Sequence, residues 1–285
     1  MNILIFGHGY IGSRCADAWP GEAVLSDVRV QVVDDALREI DRLKPDVVLN
    51  GAGTTGRPNV DWCEDHQLES MRGNATAPML MADACQQRGV YLLHVGSGCI
   101  FYGDSPHPDN AWRESDFGNP SATYSRAKYA TDLVLSTLPN VGIARIRMPM
   151  DRIPSPRNSI DKVVVYKEVI DVANSVTVVD DMVDVFHRLL EKKAAGIFHV
   201  TNPGIIRHRE WLEMYRELVD PTHACTFITE DELVSKGLAK KKRSTNHLAS
   251  ENLEKLGIHM RPVKEALRDT LMKYAAAKRQ SPTPL

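Results

Sequence analysis

Apolar and polar positions along the first half of the chain predict strands and helices by turns. Asn2–Phe6 is a short apolar run that stops at Gly7 and predicts a strand. Tyr10–Trp19 has helical spacing, and Ala23–Leu25 reads as a second short strand. Asp35–Leu43 predicts a helix closed by Pro45, and Asp46–Asn50 a third strand that runs into Gly51-Ala52-Gly53. One long helical stretch is expected over Asp61–Gln87, followed by a strand at Tyr91–Val95, a helix at Ala122–Leu138 and a strand at Gly142–Arg147. Short, β-branched strands without polar alternation suit a sheet covered on both faces. The repeated βα order makes the fold class α/β, a doubly wound parallel sheet.

The second half is less regular. Pro149, Pro154 and Pro156 interrupt the pattern, and short strands at Val163–Val165 and Gly196–Val200 lie among helices at Asp181–Glu191, His208–Leu218 and Pro262–Lys278. The expected division is a first domain over residues 1–148 and a smaller C-terminal α/β lobe over 149–278, with some segments returning to the sheet. Residues 279–285 would form a frayed tail.

Composition narrows the function classes. Lys plus Arg total 35 against 37 Asp plus Glu, a formal charge of −2, which argues against nucleic acid or an anionic membrane as partner. No apolar run approaches the roughly 20 residues that span a bilayer. The apolar start lacks a basic leader and reads as a strand instead of a signal peptide. Cysteines at 15, 63, 85, 99 and 225 form no CxxC pair. Neither a metal site nor a disulfide framework is therefore expected, and a reducing cytoplasm is the expected location.

Gly7-His8-Gly9-Tyr10-Ile11-Gly12 is a GxGxxG pattern that follows the first strand and opens the first helix. Glycines there let the backbone turn tightly against a pyrophosphate, and the helix N-terminus faces its charge. The sheet is thus of Rossmann type, and Gly7, Gly9, Tyr10, Ile11 and Gly12 are candidate cofactor contacts. Asp27, just past the second strand, would accept hydrogen bonds from adenosine ribose hydroxyls and favour NADH. Arg29 would instead pair with a 2′-phosphate and favour NADPH. Both readings stand, and a biosynthetic reduction favours NADPH.

Tyr124-Ser125-Arg126-Ala127-Lys128 places a tyrosine and a lysine on one face of a predicted helix. A nearby ammonium is expected to lower the Tyr124 pKa and make the phenol a general acid for a carbonyl under reduction. Ser97, just past the fourth strand, would hydrogen-bond the same oxygen.

This order of glycine fingerprint, strand-end serine and helical YxxxK resembles the extended short-chain dehydrogenase/reductases, which act largely on nucleotide-linked sugars. Asn50-Gly51-Ala52-Gly53 resembles their NAAG segment, which implies Ala52 and Gly53 beside the cofactor, and Asn74 resembles their structural active-site asparagine. A narrower resemblance rests on GRPNVDWCE (Gly56–Glu64), SGCIF (Ser97–Phe101), YSRAK, RMP (Arg147–Pro149), PRN (Pro156–Asn158), and TNPG followed by LEMY (Thr201–Gly204, Leu212–Tyr215). These segments look like the bifunctional 3,5-epimerase/4-reductases of nucleotide-L-rhamnose synthesis, relatives of dTDP-4-dehydrorhamnose reductase. The resemblance runs from about residue 1 to about residue 275. It implies an NAD(P)H-dependent enzyme acting on UDP- or dTDP-4-keto-6-deoxy-D-glucose. Cys99 and Lys162 would invert C3 and C5, and Ser97, Tyr124 and Lys128 would serve the reduction at C4. Arg243 of the Arg-Ser-x-Asn-like segment is implied near the nucleotide diphosphate, and Asn158 of the PRN segment is a further candidate substrate contact. Arg57, ahead of a predicted helix near the cofactor end of the sheet, reads either as a contact to substrate or a cofactor phosphate or as half of a structural salt bridge. Ser97 stands where the plant proteins carry threonine, and the Cys99–Tyr124 connection is shorter than theirs. A separate 4,6-dehydratase would supply the substrate, and the superfamily implies a homodimer. The competing readings are a 4-reductase without epimerase activity and a non-catalytic dinucleotide-binding regulatory subunit.

Overall fold

The computed structural model describes residues 1–57 and 59–280. Its centre is a six-stranded, wholly parallel sheet. Strand β1 (Ile3–Phe6) leads into helix α1 (Tyr10–Ala18), and β2 (Ala23–Ser26) into α2 (Val33–Leu43). β3 (Val47–Asn50) precedes three helical pieces, α3 (Trp62–Asp65), α4 (Gln67–Met71) and α5 (Ala77–Arg88). β4 (Tyr91–Ser97), the short β5 (Ala111–Trp112), α6 (Thr123–Leu135) and β6 (Val141–Ile146) complete the first half. The sheet order is β2-β1-β3-β4-β6 and then an edge strand, Gly196–His199. The chain reverses its direction of winding between β1 and β3, the switch point where open α/β sheets bind ligands.

Both faces of the sheet are dry. Ile3, Ile5, Val47, Leu49 and Leu93 pack with α8 (Val179–Lys192), which presents Val179, Met182, Val183, Phe186, Leu189 and Leu190 at helical spacing. Leu4, Phe6, Val48 and Leu92 pack on the other face against α2 and α5. The second lobe has its own core, built from Ile160, Trp211, Leu212, Tyr215, Leu267 and Tyr274. It joins α7 (Ser159–Val164), α9 (His208–Leu218) and the C-terminal helix Val263–Gln280. Asp151, fully buried, ties the two parts together by accepting from Arg14 Nε at 2.6 Å and Tyr10 Oη at 3.1 Å.

Three expectations are corrected. The long helix over Asp61–Gln87 is broken at His66 and carries a π-helical turn at Arg72–Thr76, which periodicity cannot foresee. Val163–Val165 is not a strand. Asn158 caps α7 by accepting from Ile160 N at 3.1 Å, and that cap carries β-branched residues into a helix. Residues 279 and 280 close the last helix instead of fraying, and the expectation for 281–285 lies outside the described residues. No described helix is long and apolar enough to cross a membrane.

Candidate active site

The glycine loop is packed too tightly for any side chain at two positions. Gly7 has φ +102°, and a Cβ there would lie 2.6 Å from Ala52 N. A Cβ on Gly12 would lie 2.2 Å from Gly7 O. The loop therefore presses on the end of β3, and α1 begins directly at its rim. A cleft of about 910 Å³ opens here, lined by Gly7, His8, Gly9, Asp27, Arg29, Ala52 and Gly53 among others. Bare backbone at a helix N-terminus over a switch point fits a dinucleotide pyrophosphate. Tyr10 and Ile11 pack partly buried side chains against the core and are not among the residues that line this cleft. His8, which sequence reasoning passed over, sets Nε2 3.0 Å from Asp27 Oδ1. Both side chains are exposed, so the pair is a weak contact that a ligand can displace.

Between this cleft and a second one stand Tyr124 and Lys128, a turn apart on α6. Lys128 is only 4% exposed and donates from Nζ to Val95 O at 2.9 Å. Its ammonium lies 3.6 Å from where a Gly53 side chain would be, so the absence of one opens the way to the cofactor cleft. Burial pulls the Lys128 pKa down to about 8, against an opposing pull from Asp132. Asn74 sits in the π turn, where such irregularity commonly marks function. Its side chain accepts from Thr54 N at 3.0 Å and donates to Thr54 O at 2.7 Å, and its carbonyl accepts from Thr131 of α6 at 2.6 Å. The π turn thus ties α6 to the loop after β3.

Tyr124 lines the second cleft, about 550 Å³, together with Cys99 and Arg147. The expectation that its phenol is acidified is corrected. Burial pushes the Tyr124 pKa up, the nearby Cys99 adds to this, and the Ser97 hydroxyl only partly opposes it. The phenol is therefore held protonated, as a proton donor must be. Ser97 ends β4 and accepts from Cys99 N at 3.1 Å, which fixes the turn Gly98–Ile100. Arg147, at the end of β6, donates to Cys99 Sγ at 2.7 Å and to Asn174 Oδ1 at 2.6 Å, and also reaches Ser244 O.

The remaining candidates divide. Lys162 is half-buried on α7 and is not among the cleft-lining residues, although Val163 beside it is. Burial and the neighbouring Arg157 lower its pKa. Asn158 has a different task from the expected substrate contact. It is fully buried and uses both amide donors, on Asp151 O at 2.9 Å and Ile153 O at 3.1 Å, to hold the chain around α7. Arg57 stands exposed in the segment that passes from the cofactor cleft at Thr54 to the second cleft at Asn59. Arg243 does line the second cleft, yet it grips Asp61 with two bonds of 2.8 and 2.7 Å. The lysines that precede Arg243 in the chain are paired too: Lys240 with Asp65, Lys241 with Glu64 at 2.8 Å and Lys242 with Asp231 at 2.7 Å. Ser244 and Asn246 both donate to Phe101 O, at 2.7 and 3.1 Å, and Asn246 also to Gly98 O at 3.0 Å. This segment clamps the Cys99 turn.

The chain matches the family described as RmlD substrate binding domain over residues 1–276. It belongs to that family. It is 34% identical over 276 residues to the bifunctional dTDP-4-dehydrorhamnose 3,5-epimerase/dTDP-4-dehydrorhamnose reductase of Arabidopsis thaliana, covering 94% of this chain and 91% of that one. A trifunctional UDP-glucose 4,6-dehydratase/UDP-4-keto-6-deoxy-D-glucose 3,5-epimerase/UDP-4-keto-L-rhamnose-reductase from the same plant is 33% identical over 284 residues. The match takes in 96% of this chain and 42% of that protein's length. The crystal structure of the L780 UDP-rhamnose synthase of Acanthamoeba polyphaga mimivirus superposes with a TM-score of 0.89 at 29% identity, over 96% of this chain and 99% of that one. In this RmlD-family chain, the GRPNVDWCE segment takes on a physical meaning that spacing did not reveal. Its Glu64 accepts from Thr123 N at 2.8 Å and Thr123 Oγ1 at 3.1 Å, anchoring the first turn of the helix that carries Tyr124. Arg147, quoted in the RMP motif without a role, also proves to line the second cleft against Cys99.

Proposed function

We propose that the protein is an NAD(P)H-dependent 3,5-epimerase/4-reductase that converts UDP- or dTDP-4-keto-6-deoxy-D-glucose to the nucleotide-L-rhamnose. The observation that carries this reading is Cys99 and Tyr124 lining one cleft, with Lys128 standing between it and the glycine-rich cleft. The C4 ketone acidifies the protons on C3 and C5. Cys99, as thiolate, removes one of these protons. The C–H pair becomes the new C=C π pair and the carbonyl pair moves to O4, leaving a thiol and an enolate. A proton returned to the opposite face inverts the carbon, with no net oxidation. Lys162 is the proposed acid on that face, supported by its half-burial beside the cleft wall. A bound reduced nicotinamide supplies hydride for C4. Tyr124 then gives its proton to O4, Ser97 positions that oxygen, and Lys128 steadies the charge that develops there.

The nucleotide diphosphate is proposed to meet Arg243, displacing or sharing its grip on Asp61, with Arg57 at the edge. Arg29 and His8 face the adenosine end of the cofactor cleft and support NADPH over NADH, while Asp27 supports NADH. A separate 4,6-dehydratase would provide the substrate, the step the trifunctional plant relative carries in its own chain. The proposed setting is the cytoplasm, and the proposed assembly a homodimer. Exposed Leu68 and Met71 on α4 and Leu133 on α6 support a paired surface.

The test incubates the protein with each 4-keto-6-deoxy-D-glucose nucleotide and NADPH or NADH in deuterated water. The expected result is cofactor oxidation, an L-rhamnose product, and deuterium at C3 and C5. A D-configured 6-deoxyhexose would leave the reductase and remove the roles of Cys99 and Lys162. No oxidation of either cofactor would sink the enzymatic reading.

A further inference from the structure

Arg147 is 4% exposed, yet among the described residues no carboxylate lies within 4.0 Å of its guanidinium. Its partners are the Asn174 amide oxygen, the Ser244 carbonyl and the Cys99 sulfur, and Nε has no partner at all. A buried cation without a counter-charge is costly, so a negative group is called for at the contact. The carboxylates of the same cleft are already taken: Asp61 by Arg243, Glu64 by Lys241, and Glu168 by Lys236. The other titratable groups facing this pair bring no negative charge. Burial holds the Tyr124 phenol protonated, and it lowers His208, at the start of α9, to about 4, so that ring is neutral. Cys99 remains as the one acidic group in contact with the guanidinium.

We propose that Arg147 is the positioning residue that holds Cys99 as a thiolate aimed into the substrate cleft, and so enables the epimerisation half of the reaction. This rests on the reading that Cys99 is the base. The build of the turn supports it. Ser97 Oγ fixes the Cys99 backbone, and a Cβ on Gly98 would lie 2.5 Å from Leu248, so glycine lets the turn pack against that side chain while Arg147 Cδ stays in ordinary contact at 3.5 Å. Asn174 and the Ser244 carbonyl fix the far side of the guanidinium, so its Nη1 faces the sulfur in one orientation. When Cys99 takes its proton, the negative charge passes to the sugar enolate in the same cleft, where the same cation still faces it.

The test compares wild type with Arg147→Met, Arg147→Lys and Cys99→Ser. One readout is the ultraviolet thiolate absorbance of wild type minus Cys99→Ser at neutral pH. A second is the rate of iodoacetamide alkylation at Cys99, mapped by mass spectrometry against Cys225. The third is deuterium uptake by the 4-keto-6-deoxy-D-glucose nucleotide, set against NADPH oxidation with the already inverted 4-keto-L-rhamnose nucleotide. The expected result is a thiolate band in wild type, with alkylation about tenfold or more slower in Arg147→Met and partly restored in Arg147→Lys. Deuterium uptake should fall by about tenfold more than reduction does. Absence of the thiolate band overturns the proposal without needing any arginine variant to fold. Equal losses of uptake and reduction, with unchanged alkylation, overturn it as well. If Cys99→Ser still epimerises, the base assignment itself fails, an outcome distinct from both.

Discussion

Single residues at this site are set by burial more than by their neighbours in sequence. Lys128 shows the cost. Its folded pKa of about 8 lies below the ordinary lysine value of 10.5, so between those pH values the unfolded chain binds more protons than the folded one. The penalty of the buried ammonium is full below pH 8 and relieved as pH rises toward 10.5. Wild type should therefore gain stability over that window, and Lys128→Met should lose that slope, as urea unfolding at several pH values will read. On the role proposed for Lys128, in which the charged form steadies O4, the reduction step should lose rate over the same rise. At the other cleft, His8 Nε2 lies 3.0 Å from Asp27 Oδ1 at the rim. His8→Ala should raise KM for NADPH by about two- to fivefold more than KM for NADH. Equal changes would show that His8 does not read the 2′ position.

At the scale of elements, the helix that carries Tyr124 and Lys128 is held near both ends. Glu64 satisfies the first-turn donors of α6 through Thr123, and the π turn at Asn74 grips Thr131 further along. Glu64→Ala should cost about 1–2 kcal/mol in stability, as loss of a helix N-terminal partner does. It should lower kcat by more than it raises KM, because Tyr124 lies in the turn that loosens. An unchanged unfolding midpoint would mean that the contact carries no stability. The strap Lys240–Asn246 has a matching role on the other side, where Ser244 and Asn246 hold the turn that presents Cys99.

At the scale of the whole molecule, the sheet is finished by residues that follow the first half. The edge strand Gly196–His199 pairs with β6, and α8 covers the face formed by Ile3, Ile5, Val47 and Leu49. A fragment of residues 1–148 should lack a cooperative unfolding transition and bind a hydrophobic dye, because that face would be left in water. A cooperative melt for this fragment would show that the first half is closed without α8.

Strand and helix alternation, the glycine loop, YxxxK and the strand-end serine were legible because each is local. A helix repeat or a turn requires a particular residue at a particular spacing, and residues such as Gly7, Gly12, Tyr124 and Lys128 fulfil it within a few positions of chain. The RmlD-family likeness was legible for the same reason, carried by short segments such as GRPNVDWCE. What the sequence could not show was partnership across the fold. Asn158, read as a substrate contact, is a helix cap because its Oδ1 accepts from Ile160 N while its donors find Asp151 and Ile153. Lys240, Lys241, Lys242 and Arg243 find their partners only when Asp61, Glu64, Asp65 and Asp231 come into reach. Tyr124 was expected to be acidified by the lysine a turn away, yet burial, which exists only in the packed molecule, pushes its pKa up. Arg147 meets Cys99 from 48 residues away. Such contacts depend on which strands lie side by side and which groups lose water, and only the tertiary structure decides both.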